Sequence, residues 1–215
     1  LTRSNAQIDD LLVVTGNLGT MLSGKIAFKQ KIEISDKAKE LFKNALIFQN
    51  PPDMLGTRLS KSKFANACTD ISDGLPSSIY SLCNASGVGA IIEESKIPIH
   101  EESIKIANTL NIRSMQLTLT GGDWQYLYSI PKKYIKEVQK IAENINYPIS
   151  IIGKVIEEKE VVIKTLENEY KVLLRVENDR FSKHTGESFF RILEKEISFF
   201  DDNISSDLKK KLGLI

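Results

Sequence analysis

The chain has 215 residues, of which 41% are hydrophobic and 27% are charged, and its formal net charge is +1. This composition is ordinary for a globular protein, the near-neutral charge argues against a nucleic-acid or membrane surface, and no apolar run approaches the ~20 residues of a membrane span. Cys68 and Cys83 form no C-x-x-C motif, so they predict neither a disulfide framework nor a zinc site and are typical of a cytoplasmic protein.

The first part of the chain is predicted to hold one strand and three helices. It begins with Leu1 rather than Met and reads as the middle of a protein, so we expect a fragment. The apolar run at residues 10–15 predicts a buried strand, and a helix is predicted at residues 20–29. Residues 36–49 have the periodicity of an amphipathic helix that is ended by the prolines after it, and a short helix is predicted at residues 55–62.

The next stretch predicts a strand, an acidic turn and a helix. Residues 64–69 are small or apolar and suit the end of a strand. Apolar residues then recur at the spacing of one helix face, at Leu75, Ile79, Leu82 and Cys83. We expect Ser72 or Asp73 to cap this helix and the glycine after Ser86 to end it.

The acidic turn at residues 70–74 (DISDG) carries two carboxylates three residues apart, on Asp70 and Asp73. Hard cations such as Mg²⁺ prefer carboxylate oxygen, and the amide groups at the start of a helix attract phosphate. Carboxylates and phosphate are both negatively charged, and they can share a site when a metal ion bridges them. The turn therefore predicts a site for a Mg–nucleotide complex. The alternative is that Asp70 and Asp73 are ordinary turn and capping residues.

The rest of the chain alternates strands and helices. Strands are predicted at residues 89–93, 115–120, 124–130, 149–152, 161–165 and 170–176, and helices at residues 103–110 and 134–145. From residue 186 the chain adds a helix whose aromatic stripe favours packing over ligand binding, followed by a segment at residues 204–214. Strands joined by helix-length segments indicate an α+β fold, in α/β layers, with a mixed β-sheet flanked by helices.

Two motifs resemble those of thiamine-monophosphate kinases, DISDGL at residues 70–75 and SGVGA at residues 86–90. These kinases belong to the superfamily of aminoimidazole ribonucleotide synthetases, selenophosphate synthetases and hydrogenase-maturation dehydratases. The resemblance spans residues 1–164 and implies the mixed sheet flanked by helices that is typical of the C-terminal domain in this superfamily.

The resemblance also implies a division of the chain. Residues 1–32 would be the end of an N-terminal domain with its connection, residues 33–180 the synthetase-like C-terminal domain, and residues 181–215 a helical extension. In the family the N-terminal domain supplies further metal-binding aspartates and most of a dimer interface. This chain is therefore expected to hold half of a site and to be inactive alone, and the full-length protein is expected to be a homodimer.

Nucleotide and metal roles follow from the resemblance. Arg3 matches an arginine that contacts ATP in the family, and Ser72 is assigned to the nucleotide as well. Asp70 and Asp73 match metal ligands and are assigned to Mg²⁺. No residue is assigned as catalytic, because phosphoryl transfer depends on metal ions and positioning and needs little covalent chemistry from the protein.

The stretch at residues 121–128 departs from the family pattern. The family has G-G-E-D-Y-E-L-L-F, whereas this chain has G-G-D-W-Q-Y-L-Y, with two acidic residues missing. Asp123 takes the place of a glutamate that touches the substrate in the family, although it is a methylene shorter. Trp124 offers a ring on which a substrate could stack.

The implied function is ATP-dependent phosphorylation of a small phosphorylated substrate, with thiamine monophosphate becoming thiamine diphosphate. The partner is a small molecule, and neither nucleic acid nor membrane is expected. Two alternatives stay open. The altered GGDWQ stretch favours another ATP-using enzyme of the superfamily with a different acceptor. The missing acidic residues favour a nucleotide-binding module without catalysis, which the presence of Asp70, Ser72 and Asp73 disfavours.

Overall fold

The structure is a computed structural model that describes residues 1–48, 51–175 and 198–215. Its strands are β1 (Leu11–Thr15), β2 (Ala67–Asp70), β3 (Gly89–Glu93), β4 (Tyr126–Ile130), β5 (Ile149–Ile156), β6 (Val161–Lys164), β7 (Tyr170–Leu173) and β8 (Phe200–Asp201). They form one sheet in the order β2-β4-β1-β5-β3-β6-β7-β8. β3 and β6 run parallel and the other described pairs are antiparallel, which confirms the predicted mixed sheet.

Helices flank the sheet on both faces. They are α1 (Thr20–Lys29), α2 (Asp36–Ile47), α3 (Asp53–Ser62), α4 (Leu75–Ser86), α5 (Glu101–Leu110), α6 (Ile135–Asn144) and α7 (Ser206–Lys211). Short 3₁₀ turns lie at Glu94–Lys96, Ser114–Thr118 and Lys132–Tyr134. None of the helices in the described part of the chain has the length and apolar character that crossing a bilayer requires.

The two faces of the sheet bury separate cores, because successive side chains of a strand point to opposite sides. In β1, Leu12 and Val14 join the larger core with residues of α1, α2, α4 and α5. Val13 lies between them and joins the second core with residues of α3 and α6. A third, smaller cluster forms where Ile204 and Leu208 pack against Ile156 and Val162.

The predicted strand at residues 115–120 is wrong: Ser114–Thr118 forms a 3₁₀ turn. All six residues are buried, so their apparent alternation does not separate a core face from a solvent face. Local hydrogen bonds close the turn instead, since the side chain of Gln116 accepts from the amide of Arg113 at 2.9 Å and the Thr118 hydroxyl donates to the Met115 carbonyl at 2.9 Å. Such side-chain bonds compete with strand pairing.

The two ends of the chain belong to the same sheet. β1, from the segment assigned to an N-terminal domain and its connection, lies at the sheet centre between β4 and β5. At the other end β8 pairs with β7 through Phe200 and Leu173. The helix predicted from residue 186 lies outside the described residues, and the three-part division of the chain stays a prediction.

Candidate active site

The DISDG turn connects β2 to α4, as the sequence predicts. Asp70 is the last residue of β2 and Asp73 is exposed on the turn. α4 begins at Leu75, and its predicted inward face, Leu75, Ile79 and Leu82, is fully buried. The turn is therefore held between an edge strand and a helix that is anchored in the larger core.

The predicted cap of α4 is wrong. Gly74, and not Ser72 or Asp73, occupies the N-cap position, with φ +91°. The hydroxyl of Ser72 instead lies 3.4 Å from Oδ2 of Asp73. The helix start is fixed from inside its first turn, where Ser78 donates to the carbonyl oxygens of Asp70 at 2.8 Å and Gly74 at 3.1 Å.

Arg3 lies beside Asp70. Its Nη2 is 3.3 Å from Oδ1 of Asp70, and its Nε donates to the hydroxyl of Thr69 at 3.1 Å. Burial raises the pKa of Asp70, but hydrogen bonds from Ser72 and Arg3, together with the arginine charge, outweigh it and hold the pKa below the usual range. Asp70 is thus a carboxylate at neutral pH, as a metal ligand must be.

The donor set at the turn is compatible with part of a magnesium site. Asp70 and Asp73 provide carboxylate oxygens, and Mg²⁺ in nucleotide sites binds through one or two carboxylates, substrate phosphates and water. Residues 1–48, 51–175 and 198–215 contain no group of three or more His, Cys, Asp or Glu side chains placed to hold a metal ion. These two carboxylates would therefore share the ion with phosphate oxygens and water.

The structure brings the GGD stretch against the DISDG turn. β2 and β4 are paired, with Asp70 opposite Tyr126, and the amide of Ile71 donates to the carbonyl of Gln125 at 2.8 Å. Gly121 packs so closely that a Cβ there would clash with the carbonyl of Ser72. The sequence alone could not show this contact, because it depends on the pairing of two strands that are distant in the chain.

Asp123 and Trp124 occupy different environments in this loop. Oδ2 of Asp123 accepts from the amide of Gly19 at 2.7 Å and Oδ1 accepts from the amide of Met21 at 2.8 Å. Burial raises the pKa of Asp123, and the bonds from the α1 amides oppose that effect. Trp124 is 49% exposed and has φ +55°, so β4 begins only at Tyr126 and not at Trp124 as predicted.

A cavity of about 220 Å³ opens beside this loop. Its lining residues are Asn17, Thr20, Ala45, Phe48, Asp123, Gln125 and Tyr147. It is smaller than the usual range of ~300–1,000 Å³ for small-molecule sites, so it would hold only part of a ligand. Sequence reasoning did not select Gln125 or Tyr147, and no motif could have, because their proximity depends on the tertiary fold.

The fold is a mixed sheet with helices on both faces, and its acidic strand-to-helix turn packs against the glycine pair at residues 121–122. These features are those of one protein family. The family described as "AIR synthase related protein, C-terminal domain" matches residues 7–165. That match covers most of the chain, which therefore belongs to this family.

Several relatives of the chain are thiamine-monophosphate kinases. The chain is 33% identical over 165 residues to the thiamine-monophosphate kinase of Pyrococcus horikoshii, with 76% of this chain and 48% of that protein covered. The solved thiamine-monophosphate kinase of Aquifex aeolicus is 25% identical with a TM-score of 0.64, and the alignment covers 76% of this chain and 52% of that one.

The structure of AaThiL complexed with AMPPCP and TMP is also similar. It is 27% identical with a TM-score of 0.60, and the alignment covers 78% of this chain and 52% of that chain. The predicted resemblance to thiamine-monophosphate kinases is thus confirmed. The chain spans about half the length of the curated relatives that it matches.

Proposed function

We propose that this chain supplies the C-terminal half of an ATP-dependent kinase site that converts thiamine monophosphate to thiamine diphosphate. The observation that carries the proposal is the DISDG turn, with Asp70 ionised at a strand end and Asp73 exposed three residues later. Its support from related proteins is the similarity to thiamine-monophosphate kinases and to AaThiL complexed with AMPPCP and TMP.

In the proposed reaction a phosphate oxygen of thiamine monophosphate attacks the γ-phosphorus of ATP, and ADP leaves. Asp70 and Asp73 would hold Mg²⁺, which when bound offsets the negative charge of the phosphates. Arg3 lies next to Asp70 and its side chain is more than half exposed, so its guanidinium could turn to a phosphate bound at the turn. Ser72 would donate a hydrogen bond to the nucleotide.

The substrate side of the proposed site is the loop around Trp124. Its exposed indole offers a stacking surface for a heteroaromatic ring such as those of thiamine. Asp123, the other residue predicted to meet the substrate, has both carboxylate oxygens bonded to α1 amides. That engagement favours one second candidate, an ATP-using enzyme of the same superfamily with a different acceptor.

Completion of the site would require the N-terminal half of a longer protein. The chain spans about half the length of the thiamine-monophosphate kinases that it resembles, so the other half would supply the remaining contacts to ATP and substrate. We therefore expect this chain alone to be inactive and the full-length protein to act as a cytoplasmic homodimer.

Turnover measurements on the full-length protein test the proposal. With ATP, Mg²⁺ and thiamine monophosphate we expect ADP and thiamine diphosphate to form in equal amounts, and the isolated chain should give neither. Formation of ADP only with a different phosphorylated acceptor would support the second candidate. Nucleotide binding with no ADP formation under any of these conditions would contradict both kinase assignments.

A further inference from the structure

Asp123 fastens the start of α1 to the loop that precedes β4. Gly19, at the N-cap of α1, has no side chain with which to cap the helix, and the first turn of α1 contains no acidic residue. The two bonds from α1 amides to Asp123 therefore make its carboxylate the cap of a helix that is distant in sequence. A negative charge at this position is also stabilised by the helix dipole.

Gln125 fastens the same loop to two further segments. Its Oε1 accepts from the hydroxyl of Thr15 at 2.8 Å and from the hydroxyl of Tyr147 at 3.0 Å. Its Nε2 donates to the carbonyl of Asp123 at 2.9 Å. Gln125 is buried, so these bonds are shielded from water and hold the loop in one arrangement.

The fastened loop is in direct contact with the DISDG turn. The carbonyl of Gln125 accepts from the amide of Ile71, and Gly121 abuts the backbone of Ser72. On the opposite side, a Cβ on Gly122 would meet the side chain of Met21 in α1. Residues 121–125 thus form a wedge that lies between α1 and the DISDG turn. A displacement of this wedge would also displace the turn.

We propose that Asp123 is a positioning residue that fixes this wedge on α1 and thereby sets the placement of Asp70 and Asp73, without contacting the substrate. Both of its oxygens already accept hydrogen bonds from backbone amides at the start of α1. These bonds turn the carboxylate towards the start of α1 and fix its orientation. The inference rests on the proposed function only in that Asp70 and Asp73 serve the Mg–nucleotide complex.

Amide hydrogen exchange in the Asp123→Asn variant of this chain tests the coupling directly. The asparagine amide group places a donor against a backbone N–H, so at least one bond to α1 is lost. We expect exchange at Gly19, Met21 and Ile71 to accelerate at least ~10-fold relative to the slowest core amides. Unchanged exchange at Ile71 would overturn the proposal.

Ser35→Ala provides a matched control for ordinary loss of a helix cap. The Ser35 hydroxyl accepts from the amide of Ala38 at the start of α2, away from the DISDG turn. Its removal should lower the melting temperature in the same way as Asp123→Asn but leave exchange at Ile71 unchanged. Equal acceleration at Ile71 in both variants would show general destabilisation and would also overturn the proposal.

Steady-state kinetics of the full-length protein distinguish positioning from substrate contact. A positioning role predicts that Asp123→Asn lowers kcat at least ~10-fold while KM for thiamine monophosphate stays within about two-fold. A rise in KM with unchanged kcat would mean that Asp123 binds the substrate. If the wild type gives no turnover, the proposed function fails, whereas the exchange experiment still decides whether Asp123 holds the turn.

Tyr147→Phe tests the same wedge should Asp123→Asn fail to fold. It removes a hydroxyl that donates to Gln125 and keeps the ring, so the fold is retained. Loss of one neutral hydrogen bond should accelerate exchange at Ile71 about three-fold. No acceleration would contradict the transmission from Gln125 to the turn.

Discussion

Asp70 is shared among three neighbours at the end of an edge strand. Its carboxylate interacts with Arg3 and Ser72, and its carbonyl accepts from Ser78. Both Arg3 and Asp70 side chains are more than 40% exposed, and exposed ion pairs contribute little, about 0–1 kcal/mol. Arg3 can therefore move away from Asp70 at small cost, as the proposed binding of phosphate and Mg²⁺ would require.

Asp73→Asn in the full-length protein separates a metal ligand from a turn residue. Asparagine keeps the shape of the side chain but removes the charge that a hard cation requires. We expect ATP turnover to fall at least ~100-fold, on the order of 3 kcal/mol in the barrier, with partial rescue at high Mg²⁺. Turnover assays at increasing Mg²⁺ and melting curves without nucleotide measure this, and the melting temperature should be nearly unchanged.

Asp9→Asn is the matched control for that change. Asp9 is exposed and has φ +68°, a conformation that asparagine adopts readily. It should turn over ATP at the wild-type rate. Wild-type turnover in Asp73→Asn would instead show that the Asp73 carboxylate is structural.

Glu167 gives the chain a measurable acid sensitivity. A hydrogen bond from Arg113 lowers the pKa of Glu167 to about 2. Because the folded state depresses this pKa, its contribution to stability is complete above the ordinary value of 4.5 and is lost as the pH falls towards 2. The free energy of unfolding, measured by urea denaturation, should therefore fall between about pH 6 and about pH 2.

Glu167→Gln removes the titrating group and is the comparison for that series. The variant should be less stable than wild type near neutral pH, and the difference should shrink as the pH falls. Glu169→Gln, on the same hairpin, changes an exposed carboxylate that pairs with Lys171 instead of Arg113. A constant difference between Glu167→Gln and wild type at every pH would contradict the assigned role.

α4 shows how far periodicity leads from sequence to structure. Its apolar spacing predicts both the bounds of the helix and the buried face that includes Leu75 and Ile79, because burial follows the helical repeat. The N-cap residue could not be predicted, because the close packing that favours glycine at position 74 involves the carbonyl of Leu119. That contact joins segments far apart in sequence.

Gly74→Ala should be severely destabilising. At φ +91° a side chain is strained, and a Cβ would also clash with the carbonyl of Leu119. Gly87→Ala isolates the first effect, because Gly87 has φ +70° and no atom within 4 Å of the added Cβ. We expect a loss of about 1 kcal/mol at Gly87 and at least ~3 kcal/mol at Gly74, measured by urea denaturation. Equal losses would show that the turn can move away from Leu119.

The residues of the candidate site could be predicted from the sequence, but the contacts between them could not. The acidic pair, Arg3 and Asp123 can be selected from local motifs, whereas the bonds of Arg3 to Asp70 and of Asp123 to α1 require the folded sheet. The fold class followed from alternating strands and helices. The order of strands did not, because pairing across the sheet is set by tertiary packing.

Residues 198–215 pack against the sheet. Phe199 is buried in the larger core, and the carbonyl of Phe199 accepts from the amide of Leu174. Leu208 of α7 is 1% exposed and packs with Ile156 and Val162. The last residues therefore close the sheet face over β6 and β7.

Leu208→Ala should lower the stability of the whole chain. Truncation of a buried leucine leaves a cavity and costs about 2–5 kcal/mol. Leu214→Ala is the control, since Leu214 is 45% exposed and its truncation should change the free energy of unfolding by less than ~0.5 kcal/mol. Urea denaturation followed by far-ultraviolet circular dichroism measures both. If the two variants have equal stability, α7 does not contribute to the cooperative unit.

The central position of β1 has a consequence for synthesis of the protein. A ribosome makes β1 before the two strands that flank it, because Leu11 pairs with Ile130 on one side and Lys154 on the other. The segment LLVVT therefore stays without its partner strands, and its apolar side chains stay exposed, until β4 and β5 have emerged from the ribosome. Such distant pairing slows folding and exposes the waiting strand to aggregation. Nascent chains that end before β5 are thus candidates for chaperone binding, and release should follow once Ile156 has left the exit tunnel.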